Sequence, residues 1–105
     1  MTASVDMRPQ DLKIVRDILR VHLPATAQAF VFGSRATGRT KRSSDLDLAI
    51  DLGRALTRKE SADLADAFDE SDLPYRVDVV DLNEVSESFK AIIERDRTPL
   101  LMGRD

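Results

Sequence analysis

The stretch that most constrains the fold is Asp45-Leu-Asp-Leu-Ala-Ile-Asp51. Successive side chains of a strand leave opposite faces, so Leu46, Leu48 and Ile50 point one way and Asp45, Asp47 and Asp51 the other. The pattern predicts a strand from Leu46 to Leu52 with its apolar side on a core. Around it the chain alternates periodic segments with Gly and Pro, four of each, where punctuation belongs. Pro9 suits a first helical turn, and Leu12, Val15, Ile18 and Leu19 share one face of a helix that runs to about His22 and is ended by Pro24. Ala29-Phe-Val-Phe32 reads as a short buried strand stopping at Gly33. Arg35 to Ser44 is polar, a loop or a short helical turn.

Thr57-Arg-Lys-Glu60 is a capping box that opens a second helix, with Leu64, Ala67 and Phe68 on one face. Tyr75 to Leu82, rich in Val, is a third strand. Val85, Phe89, Ile92 and Ile93 mark a last helix to about Arg95. Thr98 to Met102 reads as an edge strand, the one place Pro99 is tolerated. The order α-β-β-α-β-α-β predicts an α+β (α/β) domain: a mixed sheet with helices packed on one face. The first two strands are expected to be antiparallel, and the helix between the second and third permits a crossover.

A chain of 105 residues fits a single domain spanning 1–105. It has no Cys and one His, His22, which excludes a disulfide scaffold, a Cys-based zinc site and a thiol nucleophile. No apolar run approaches the roughly 18 residues of a membrane span. The opening MTASVDMRPQ lacks the apolar core of a signal peptide. No membrane association is expected, and the cytoplasm is the expected location. A net charge of −3 argues against direct nucleic-acid binding. The charge is uneven, however. Gly33 to Ser44 carries Arg35, Arg39, Lys41 and Arg42 and no acid, a basic loop suited to a small anionic ligand.

Three carboxylates invite chemistry. Asp45 and Asp47 leave the same face of one strand, with Cα atoms about 6.6 Å apart. Asp78, between Val77 and Val79, is an acid in the middle of an apolar strand. Like charges 4 Å apart repel by about 4 kcal/mol at an effective dielectric near 20, a burden a divalent cation would lift. All-oxygen ligands favour Mg²⁺ or Mn²⁺ over Zn²⁺, with open positions for phosphate oxygens. A lone Asp-x-Asp is usually a solvent-facing strand, and a lone Gly-Ser a common turn. Here they combine: an apolar strand, Gly33-Ser34, ten residues, then Asp45-Leu46-Asp47.

That arrangement, G-S-x10-D-x-D, resembles the signature of the polymerase-β-like nucleotidyltransferases. The run FGSRATGRTKRSSDLDLAID is similar to the minimal nucleotidyltransferases, a group that includes the antitoxins of HEPN-domain toxins in type VII toxin–antitoxin pairs. The third acid of the pattern falls on Asp78. The resemblance implies the polymerase-β-like fold and transfer of a nucleoside monophosphate, AMP from ATP or the equivalent from another NTP, to a hydroxyl. The acceptor it implies is a Tyr of a HEPN toxin. Two Mg²⁺ ions, or Mn²⁺, would sit on Asp45, Asp47 and Asp78, with Asp78 also helping to deprotonate the acceptor. Gly33 and Ser34, joined by Arg35, would hold the phosphates. The rival reading is a non-catalytic antitoxin that sequesters its partner. His22, Asp51, Asp81, Tyr75 and the acidic face of Asp63, Asp66 and Glu70 are read as structural or solvated.

Overall fold

The computed structural model describes residues 7–33 and 45–101. Among them lie helix α1 (Pro9–His22), strands β1 (Gln28–Phe32) and β2 (Leu46–Asp51), helix α2 (Arg58–Asp69), strand β3 (Val77–Asp81), helix α3 (Glu87–Asp96) and strand β4 (Thr98–Leu101). The sheet order is β3-β2-β1-β4. β1 pairs antiparallel with β2 and with β4, and β2 pairs parallel with β3, as the connections require. Leu46 N–H donates to the Arg76 carbonyl and Leu82 N–H to the Ile50 carbonyl, both at 2.9 Å, closing the two ends of the parallel pair. β4 is an edge strand, and Pro99 is tolerated there.

Leu46, Leu48 and Ile50 are fully buried on the first face of the sheet, against Val15 and Leu19 of α1 and Leu64 and Phe68 of α2. Each such side chain contributes about 1.5–3 kcal/mol by leaving water. The helical faces follow from spacing: Val15 and Leu19, like Leu64 and Phe68, are four apart and so lie one above the other.

The expectation of helices on one face holds for α1 and α2. The third helix departs from it: Ile93 of α3 packs with Phe30, Phe32 and Ala49, which project from the second face. Two physical reasons account for this. β1 is apolar on both sides, so a sheet covered on one face would leave two phenyl rings in water. The chain must also pass from β3 on one rim to β4 on the other, and the first face is already taken by α1 and α2. Of the apolar residues that mark α3, only Ile93 is fully buried, while Phe89 and Ile92 are 38% and 49% exposed. β3 is also shorter than expected, beginning at Val77 after Tyr75 and Arg76.

The capping box is formed. Glu60 N–H donates to Thr57 Oγ1 at 3.1 Å and Thr57 N–H to Glu60 Oε1 at 2.8 Å. Arg54 grips the same carboxylate with two guanidinium N–H groups, at 2.8 and 2.9 Å. The Arg54 guanidinium first, and then the Thr57 backbone N–H, hold Glu60 down at about 2, against an ordinary value of 4.5. A carboxylate lowered by folding adds stability above its unfolded value and loses it as pH falls toward its folded one. Wild type is therefore expected to lose stability more steeply than Glu60→Gln between pH 4.5 and 2. Urea unfolding across that window checks this, and parallel curves would overturn it.

One acid is buried without a warning in the sequence. Asp11, 2% exposed, lies in the first turn of α1. Arg8 donates to its two oxygens at 2.9 and 3.1 Å, and the Tyr75 hydroxyl donates to Oδ2 at 3.2 Å. A paired and hydrogen-bonded carboxylate escapes most of the burial penalty. Tyr75 itself packs against the first core.

Candidate active site

The second face of the sheet carries acids at one end and apolar side chains in the middle. Asp47 is the register partner of Asp78 on β3 and of Phe32 on β1. Register partners project from the same face, so the Asp47 and Asp78 carboxylates stand side by side across strands about 4.8 Å apart. Asp45, exposed, is two residues before Asp47. Burial raises the Asp47 carboxyl above the ordinary 3.8, and the charges of Asp78 and Asp45 raise it further. The structure thus brings the three predicted acids to one corner of the sheet, where they repel one another.

Gly33 follows Phe32 with φ +76°, a left-handed conformation that an L side chain rarely adopts. A Cβ built there would run into Asp47 Oδ2. The glycine therefore does two things: it turns the chain away from β1, and it leaves room for the Asp47 carboxylate. Ser34 and Arg35, the other expected phosphate ligands, lie outside the described residues, as do Arg39, Lys41 and Arg42.

The donor set fits a hard divalent cation. It is all carboxylate oxygen, and the ionised form of Asp47 is disfavoured until positive charge arrives. The side chains do not already form a closed cage: among the described residues no group of three His, Cys, Asp or Glu is placed to hold an ion. Asp45 and Asp78 are both exposed.

Other acids of the region are engaged elsewhere. Asp51 shares the face of Asp47 but lies about 13 Å further along the strand. Its Oδ1 accepts from Gly53 N–H at 2.8 Å and from Asn83 Nδ2 at 3.2 Å. Asp81 belongs to the opposite face; its oxygens accept from Leu56 N–H at 2.7 Å and Asn83 N–H at 2.8 Å. Both hold turns at the far end of β2 and β3, in keeping with a structural role.

Beside the acids stands an aromatic wall. Phe32 meets Phe89 of α3 edge to face, with ring centroids 6.1 Å apart and planes at 80°. Arg97, the C-cap of α3, lays its guanidinium 4.2 Å over the centre of the Phe30 ring. Sequence reasoning did not single out Arg97, since nothing in RDRTP tells which sheet face a capping residue will reach.

Residues 13–105 match the family described as Polymerase beta, Nucleotidyltransferase. The chain belongs to this family of polymerase-β-type nucleotidyltransferases, whose fold the mixed four-stranded sheet reproduces. It is 42% identical over 93 residues to the probable protein adenylyltransferase MntA of Haemophilus influenzae, covering 89% of this chain and 81% of that protein. A chain of a toxin–antitoxin crystallised with AMP-PNP superposes with a TM-score of 0.75 at 26% identity, over 88% of this chain and 73% of that one. A chain from the complex of tri-AMPylated HEPN toxin with MNT antitoxin of Shewanella oneidensis gives a TM-score of 0.70 at 22% identity, over 91% and 73% of the two chains, a likeness of fold.

Proposed function

We propose that the chain is a Mg²⁺-dependent protein adenylyltransferase that moves AMP from ATP to a hydroxyl of a partner HEPN-domain toxin, and so acts as its antitoxin. The observation that carries this reading is the register pairing of Asp47 with Asp78 beside Gly33, in a chain 42% identical to MntA.

Asp45, Asp47 and Asp78 would hold two Mg²⁺ ions, with Mn²⁺ as a substitute. Metal bound there would neutralise the triphosphate and lower the proton affinity of the acceptor hydroxyl. Gly33, Ser34 and Arg35 hold the β- and γ-phosphates, Gly33 because a backbone without Cβ admits them closely. The acceptor oxygen bonds to the α-phosphorus. The bond from that phosphorus to the bridging oxygen breaks, and pyrophosphate leaves with the electron pair. Asp78, on the rim strand, takes the acceptor's proton on a carboxylate oxygen. The fixed corner of strands contributes positioning and charge placement, the main sources of rate in phosphoryl chemistry.

The test is transfer of label from α-³²P-ATP in Mg²⁺ to a partner HEPN-domain protein. Label on a partner Tyr, absent with EDTA, is the expected result. An unlabelled partner overturns the reading. Full neutralisation of the toxin in cells by Asp47→Asn and Asp78→Asn would instead point to sequestration.

A further inference from the structure

We infer that Arg97 is a nucleotide-binding residue of this site and that it takes the terminal phosphates, the part of the triphosphate that leaves as pyrophosphate. The inference rests on the reading of the site given above and names a contact that reading lacks.

Placement comes first. β4 pairs Thr98 with Val31 and Pro99 with Phe30. One residue earlier in the same register, Arg97 comes across from Phe32, which is itself across from Asp47 and then Asp78. A single row of the second face therefore runs Asp78, Asp47, Phe32, Arg97. The acids occupy one end and the Arg97 backbone the other, two strand spacings, or about 10 Å, from Asp47, while the guanidinium lies over Phe30, two residues along β1 from Phe32. A triphosphate whose reacting phosphorus is at the acids and whose tail runs over β1 comes within reach of this long side chain.

The state of the side chain comes second. Arg97 is exposed, and among the described residues its guanidinium makes no hydrogen bond or ion pair. It lies over the face of Phe30, an attraction between cation and ring. Phe30 is itself buried in the second core with Ile93 and Ala49, so the ring beneath the guanidinium is fixed. A guanidinium resting over a fixed ring has part of its freedom already restricted. Its fork of donors matches two phosphate oxygens, which a lysine ammonium does not reproduce. The other engaged arginines of the described chain are tied elsewhere: Arg8 to Asp11, Arg16 to the Leu100 carbonyl, Arg54 to Glu60 and Arg95 to Asp96.

Calorimetric titration of the full chain with Mg²⁺ and AMP-PNP, and separately with AMP, tests the assignment. Arg97→Ala is expected to weaken AMP-PNP about ten-fold or more, the scale of a lost hydrogen bond to a charged group, and to change AMP affinity less than two-fold. Arg97→Lys keeps the charge without the fork and is expected to fall between. Equal losses for both nucleotides, or no loss for either, would overturn the role of Arg97 alone. Wild-type protein that takes up no AMP-PNP would overturn the nucleotide site as well. Thermal unfolding of the variants is expected to stay within a few degrees of wild type, since on the exposed side chain only the contact with Phe30 is lost.

Discussion

Asp47→Asn is expected to abolish AMP transfer, with a loss on the order of 10³-fold, and at the same time to make the protein more stable. The first effect follows from removing the central carboxylate of the three, the one whose register partner is Asp78. Losing a preorganised charge-stabilising group typically costs that much. The second follows from the sign of its titration. Burial and the charges of Asp78 and Asp45 raise the Asp47 carboxyl above 3.8, so the folded protein disfavours its ionised form. Stability falls as pH rises from the unfolded value to the folded one, and the deficit persists at neutral pH. Asparagine removes it. In EDTA at pH 7 the variant should melt above wild type; in excess Mg²⁺ the gap should narrow as wild type binds cation. Label transfer within ten-fold of wild type would remove Asp47 from the chemistry. A lower melting temperature in EDTA would refute the electrostatic account of the corner.

Gly33→Ala should damage both stability and transfer, through separate atoms. A left-handed φ costs a non-glycine residue about 1–2 kcal/mol, and a domain of this size loses about 4–8 °C per kcal/mol. A fall of about 5–15 °C in melting temperature follows. The new methyl also meets Asp47 Oδ2, the far end of a side chain that can swing aside. Swinging aside costs little stability and misplaces the carboxylate, which should lower transfer on the order of 10²-fold. Gly53 supplies the control. It has the same φ of +76° but nothing within 4 Å of an added Cβ. Gly53→Ala should therefore melt lower and transfer normally. Equal activity losses at the two glycines would show that backbone strain alone accounts for the effect.

The parts of this fold that were readable in advance are those fixed by local chemistry. The alternation of Leu46, Leu48 and Ile50 against Asp45, Asp47 and Asp51 states a one-sided strand whatever surrounds it. Thr57 and Glu60 state a helix start because both partners of the capping box lie within one turn. The side on which α3 lies was not local. Phe89, Ile92 and Ile93 say that a helix has an apolar face and nothing about which of two sheet faces receives it. The missing signal lay in β1, where Phe30 and Phe32 oppose Ala29 and Val31: a strand apolar on both sides demands cover on both. The burial of Asp11 had no comparable cue, because Tyr75 donates to it from 64 residues away. Among the proposed site residues, Asp78 was legible as an acid out of place, since its flanking valines belong to a core that it does not enter. Arg97 was not, because its position depends on the register of β4 against β1.

β3 has a neighbour on one side only, so Asp78 lies on the rim of the sheet, and past it the described chain builds no further strand. A pocket closed on that side would admit only acceptors small enough to enter it. A rim admits a hydroxyl presented on the convex surface of a whole macromolecule, with the bulk of that macromolecule staying outside. On the proposed reading, selectivity for the acceptor resides in how two surfaces meet, away from the three carboxylates, so that the partner's surface and this border can change together while the proposed chemical residues stay fixed.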